Sequence, residues 1–191
     1  YDELLRSPLW GTSFVEFFAI GKGEEAGLSR LDEVLAEGTR RVKGLGGRMR
    51  LGVSPHAPNT VSRRAYMRAV ELAGRYELPL MTHLSETPEE RELIATGAGP
   101  QRTLLERLEI WDDAMLREIG QGKTPIGHLL PVLNYGDFVA VHLNYASDQD
   151  IGILLESRTR TVFCPRASAY FGVEAVFGPH RYGDFLFCGI K

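Results

Sequence analysis

Three of the five histidines fall where an apolar run gives way to a polar loop. In THLSETPEE (82–90), His83 lies near the end of the run Leu80–Leu84, and Glu86 follows three residues later. His56 lies in the loop SPHAPNT (54–60), just after the run Met49–Val53. His142 lies near the end of the run Asp137–Leu143. An imidazole can bind a metal or carry a proton, and a carboxylate can take a proton and return it. Arg166 and Ser168, just past the run Thr161–Pro165, add a cation and a hydroxyl for binding a substrate. Each residue taken singly has a plainer explanation. His83 or His142 could be a core imidazole, His56 the stiffener of a proline-flanked loop, and Glu86 a first-turn charge facing a helix dipole. Arg166 and Ser168 could be ordinary loop residues. Their joint arrival at one kind of position favours function. His128 and His180 do not share that placement and read as surface or structural.

The elements that would position these residues alternate. Strands are expected at Gly11–Ala19, Met49–Val53, Leu80–Leu84, Asp137–Leu143 and Thr161–Pro165. Ser29 with Asp32 reads as a helix start, as do Ser62, Thr87 before Pro88, and Ser147 with Asp150. Residues 97–134 are less regular, with a short helix at Thr103–Leu108 and a loop at Gly120–Gly127. His180–Cys188 reads as a helix stopped by Gly189, with Ile190 and Lys191 opening a sixth strand. A β–α alternation implies a parallel sheet covered by helices, either an open doubly wound sheet or part of a (β/α)8 barrel. In both, functional side chains gather at the C-terminal ends of strands, where the four candidate positions lie. The two outer strands would present unpaired edges, which favours association or folding with a partner.

Composition narrows the classes. A net charge of −3 with acids and bases interspersed leaves no basic stripe, so no nucleic-acid partner is expected. Two cysteines are too few for a disulfide scaffold and suit a reducing compartment. No apolar run approaches membrane-spanning length, and a cytoplasmic, membrane-free protein is expected. The whole of 1–191 reads as one incomplete domain.

The segments SPHAPNT, THLSET, AVHL (140–143) and FCP (163–165), in that order and spacing, resemble the metal-dependent amidohydrolase superfamily. The likeness is to its chlorohydrolase and nucleoside-deaminase-like members, and it runs from a third barrel strand to just before the eighth. It implies an α/β fold: a partial TIM barrel of strands three to seven, without strand one, strand eight and the β-sandwich domain. It implies one Zn²⁺ or Fe²⁺ per subunit, a small heterocyclic substrate and a homo-oligomeric complete protein. His83 would be a metal ligand, Glu86 the proton shuttle, and His142 the histidine beside the attacking water. His56, Arg166 and Ser168 would contact substrate. A metal-activated hydroxide would displace an amine from a purine-like ring. Relatives also bind the metal through a His-x-His pair and an aspartate. The sequence has no His-x-His, and Asp184, just ahead of the helix stop, does not substitute for the aspartate. The chain alone is therefore expected to be inactive. Two rival readings remain: a binding domain that keeps the fold without metal, and a metal-free enzyme using Glu86 and His142 as an acid–base pair.

Overall fold

The structure, a computed structural model, describes residue 3 and residues 8–42 and 48–191. Strand β1 (Gly11–Phe17) leads through a short 3₁₀ turn into helix α1 (Glu24–Val42). Next come β2 (Met49–Pro55), α2 (Arg63–Tyr76) and β3 (Leu80–Leu84). A longer excursion holds α3 (Pro88–Thr96), α4 (Pro100–Arg107) and α5 (Pro125–Leu133). The chain then runs through β4 (Phe138–His142), α6 (Asp148–Glu156) and β5 (Arg160–Val162). Three short helices close it: α7 (Pro165–Phe171), α8 (Glu174–Phe177) and α9 (Tyr182–Phe187).

The sheet order is β1-β2-β3-β4-β5, and every neighbouring pair is parallel. That order decides between the two architectures the alternation allows. A doubly wound sheet reverses its order at a switch point, whereas a barrel wall adds each strand beside the last. The protein is an open sector of a (β/α)8 barrel. Among the described residues the sheet does not close, so β1 and β5 are its edges.

Three helix starts form as their sequences dictate. The Ser62 side chain accepts from Ala65 N–H, Thr87 from Glu90 N–H, and Ser147 and Asp150 form a reciprocal capping box. Ser29 is different. It lies inside α1, because the turn Gly21–Gly23 feeds the helix directly and Glu24 and Glu25 fill its first turn. The strand expected to reach Ala19 stops at Phe17, with Ala19 making only an isolated bridge to Val61. Thr124 caps α5 from Pro125, inside the stretch expected to be loop. The fifth strand is three residues long, because Pro165 takes the first helical position of α7. Lys191 offers its carbonyl to Thr161 N–H at 2.7 Å, and among the described residues no sixth strand is formed. Among the described residues no helix is long and apolar enough to cross a membrane.

The core lies between sheet and helices. Leu31 and Leu35 of α1, Tyr66, Ala69 and Leu72 of α2, and Leu80, Leu84, Phe138 and Ala140 of the strands are buried together. Strand parity follows from this packing. Tyr66 Oη meets Thr82 Oγ1 at 2.7 Å, so Leu80, Thr82 and Leu84 face the helices and His83 faces the barrel interior. A second cluster, around Ile94, Trp111 and Met115, lies under the excursion between β3 and β4.

Gly27 fixes how closely α1 approaches the end of β1. A Cβ there would lie 2.2 Å from Phe18 O and 2.8 Å from Ala19 Cβ. Removing a mid-helix glycine normally stabilises by about 1 kcal/mol. Here the obstacle is backbone, and overpacking of this kind costs about 1–3 kcal/mol. Gly27→Ala is therefore expected to lower the urea midpoint; an unchanged or raised midpoint would show that α1 shifts freely.

Candidate active site

His83 ends the inward-facing row of β3, and its ring is locked from one side. Its Nδ1 lies 3.0 Å from His56 O, and its own backbone N–H donates to the same oxygen at 2.9 Å. With Nδ1–H donated to a carbonyl, Nε2 keeps the lone pair, the arrangement by which metal-binding histidines have their tautomer fixed. His56 is held similarly. Its Nδ1 lies 2.7 Å from Thr60 Oγ1, and that hydroxyl donates to Ala57 O at 3.1 Å. The consistent assignment makes His56 Nδ1 the donor and leaves Nε2 free. Burial holds the His56 pKa below the usual value, against the pull of Glu16.

His142 reaches the same mouth by another route. Parity would place it with Phe138 and Ala140, beneath the helices. Its φ of +81° breaks the alternation, and Leu143 follows at +52°. A left-handed non-glycine pair is costly and persists only where the surroundings enforce it. Here Leu143 N–H donates to Leu84 O and Asn144 N–H to Ser85 O, both at 2.9 Å, while His180 Nε2–H donates to His142 O at 2.8 Å. His180 also stacks on Phe163 with centroids 3.9 Å apart. The re-aimed His142 ring lies 5.4 Å from the His83 ring, and its Nε2 is 3.2 Å from Glu86 Oε1. A carboxylate contact favours an imidazolium, but burial dominates and holds the His142 pKa at about 4. A neutral imidazole thus lies in close contact with the Glu86 carboxyl group.

Glu86 is placed by its own loop. The buried carboxylate of Glu90 accepts from Ser85 N–H at 2.9 Å and Glu86 N–H at 2.7 Å. Asn144 Nδ2–H donates to Glu86 O at 2.9 Å, and Ser85 Oγ–H to Tyr145 O at 2.6 Å. The loop is pinned from α3 and from the segment after β4. Glu90 has an acid's duty in an apolar setting, and burial raises its pKa to about 7.

His56, His83, Glu86 and His142 thus line the C-terminal end of consecutive parallel strands. Arg166 and Ser168 are placed otherwise. Both lie on α7; Arg166 is exposed and Ser168 buried. Among the described residues, no hydrogen bond or ion pair joins either to the other four. Sequence reasoning passed over Glu16, at the end of β1, whose Oε1 lies 3.6 Å from His83 Nδ1. It was detectable as the only charged residue in the apolar run Phe14–Ile20. His128, grouped with surface or structural positions, is fully buried in α5.

The donor chemistry suits a divalent cation. Two imidazoles, each with Nδ1 pinned to an oxygen, stand beside carboxylates. No His-x-His pair adds to them in this sequence.

A model of the amidohydrolase family matches residues 8–176. The aminodeoxyfutalosine deaminase of Deinococcus radiodurans is 33% identical over 159 residues, covering 73% of this chain and 35% of that protein. The 5-methylthioadenosine/S-adenosylhomocysteine deaminase of Symbiobacterium thermophilum is 34% identical over 146 residues, covering 75% of this chain and 28% of that protein. The chain thus spans about a third of the length of these curated relatives. The crystal structure of Helicobacter pylori aminofutalosine deaminase with methylthio-coformycin superposes with a TM-score of 0.73 at 20% identity. That match covers 100% of this chain and 44% of the other, and at such identity it speaks for the fold.

Proposed function

This chain belongs to the amidohydrolase family, and from that premise we propose that it is the site-bearing sector of a hydrolase that releases ammonia from a purine-like heterocycle. The observation that carries the reading is the Glu86–His142 contact of 3.2 Å beside a tautomer-locked His83. The relatives are named as deaminases of aminodeoxyfutalosine and of 5-methylthioadenosine and S-adenosylhomocysteine, which supports the substrate class.

A divalent cation such as Zn²⁺, held in part by His83 Nε2, would supply Lewis-acid activation of water. The rest falls to side chains of this chain. Glu86 takes a proton from the attacking water as its oxygen bonds to the ring carbon bearing the amine. It then gives that proton to the departing nitrogen, so that ammonia leaves, and the second water proton passes from the added oxygen to the adjacent ring nitrogen as the carbonyl forms. His142, kept neutral by burial, lies against Glu86 and leaves the carboxylate free to accept. His56 faces the same mouth and offers a lone pair to a substrate N–H or O–H. In this reading Arg166, exposed on α7, and Ser168 contact the outer part of the substrate.

The 191-residue chain alone is proposed to lack turnover, because an open sector does not enclose a substrate. The test compares two zinc-loaded proteins, the complete reading frame carrying this sequence and the 191-residue chain. Both are assayed for ammonia release from 5-methylthioadenosine, S-adenosylhomocysteine and guanine. Turnover is expected from the first only. Binding without ammonia release by the complete protein would favour a non-catalytic domain. Full activity after chelation would favour a metal-free Glu86–His142 pair.

A further inference from the structure

We propose that Phe18 is a specificity-determining residue, a stacking wall that takes the flat face of the substrate's heterocyclic ring system beside His56. This rests on the heterocycle reading above and gives a part in it to a residue outside the histidine and glutamate motifs.

Phe18 is the first residue past β1, at the end of the sheet where the site histidines gather. Its neighbours are buried, Phe17 at 7% and Ala19 at 1% exposure, while Phe18 is 55% exposed. Alternation turns the two neighbours to the helices and Phe18 to the mouth. There its ring meets the His56 ring, with centroids 4.6 Å apart and planes at 37°. A single exposed phenylalanine ordinarily needs no explanation. This one is set apart by its support. Backbone bonds hold the chain on both sides of it: His56 N–H donates to Phe17 O at 3.1 Å, Ala19 N–H to Thr60 O at 3.1 Å, and Ser62 N–H to Ala19 O at 2.9 Å. The ring is therefore presented from a fixed backbone, and a ligand stacked on it orders little that was free.

Four rings form an arc around the mouth, one from the end of each successive strand. From Phe18 through His56 and His83 to His142, neighbouring centroids stand 4.6, 5.2 and 5.4 Å apart. Glu86 marks the far end, through its contact with His142. A heterocycle whose reacting carbon lies at Glu86 extends back along this arc, past His56, toward Phe18. A π face is what such a ring offers there, and offset stacking on a phenyl ring attracts it beyond the area buried.

The test uses the complete, zinc-loaded protein and its Phe18→Ala, Phe18→Leu and Phe18→Tyr variants. Purine ribonucleoside, which has no exocyclic amine to lose, is titrated by calorimetry. In parallel, KM and kcat are measured for ammonia release from 5-methylthioadenosine. Phe18→Ala is expected to weaken nucleoside binding and raise KM by about tenfold or more, the range for losing a base-stacking aromatic ring. Phe18→Leu keeps an apolar side chain without a π face and is expected to lose about threefold or more. Phe18→Tyr keeps the ring and is expected to stay within about twofold of the wild type. Values of kcat should change little, since stacking holds substrate and transition state alike. Thermal melts show that each variant is folded. A ring that served only to pack His56 would give another pattern, with kcat and melting temperature falling together while Phe18→Leu bound the nucleoside as the wild type does. That pattern overturns the proposal, as does unchanged nucleoside affinity in Phe18→Ala or no saturable nucleoside binding by the wild type. The calorimetry reads Phe18 without turnover. Nucleoside binding that depends on Phe18 in a protein releasing no ammonia would therefore uphold the stacking wall and count against the deaminase reading alone.

Discussion

Glu86→Gln is expected to lower kcat of the complete, metal-loaded protein by about 10²–10⁴-fold, the range for losing a general acid–base group. That corresponds to about 3–5 kcal/mol of transition-state stabilisation. The amide has the carboxylate's shape, and Glu90 and Asn144 bond only the backbone of residue 86, so the loop they hold keeps its place. What the amide cannot do is receive the water's proton and return it. The loss should therefore appear in kcat, with KM nearly unchanged and the melting temperature preserved. Glu90→Gln offers a contrast. It leaves Glu86 able to shuttle a proton but removes one of two acceptors that fix the loop, so any loss there reports geometry. If Glu86→Gln retained full turnover, proton transfer would have to run through another group, and the proposed mechanism would fail.

Much of this site was legible because strand ends are marked by local chemistry. Pro88 and the Thr87 cap announce α3, which fixes where β3 must stop and so places His83 and Glu86 at the rim. Ser62 and the Ser147–Asp150 box do the same for the segments after β2 and β4. What sequence alone hid was of two kinds. Backbone direction is one: alternation puts His142 with Phe138 and Ala140, and only the left-handed turn at 142 and 143, enforced by bonds from other elements, brings its ring to His83. Distant pairing is the other. Glu16 is seventy residues from Glu86, and nothing near it in sequence reveals that β1 lies against β2 in the register Glu16↔Ser54, two residues from His56. Arg166 and Ser168 stand on α7 rather than in a loop for a local reason. Pro165 was taken as a strand end when its fixed φ suits a first helical turn, and that moved both residues onto α7.

The same burial that shapes the mouth makes stability depend on pH, and the sign differs between residues. Burial holds His128 at about 4, with Arg63 and Lys123 adding repulsion, and His142 also at about 4. Unfolded, each titrates near 6.5. Between these values the unfolded chain binds more protons, so each contribution is complete above pH 6.5 and is lost as pH falls toward 4. Glu90 runs the other way. Its pKa rises from 4.5 to about 7, so the folded chain holds the extra proton, and that contribution is present below pH 4.5 and lost as pH rises toward 7. Each shift is worth roughly 3 kcal/mol by linkage, so two histidines outweigh one acid and the wild-type chain should lose stability on acidification. His128→Leu, which fills the same apolar site in α5 without a titrating group, should leave the remaining histidine nearly balanced by Glu90 and give a much flatter profile. Glu90→Gln should steepen it, because the opposing acid is gone. Urea unfolding of the three proteins at pH 4.5, 5.5, 6.5 and 7.5 measures all three slopes. Parallel profiles for wild type and His128→Leu would show that the His128 imidazole is not held neutral by the fold.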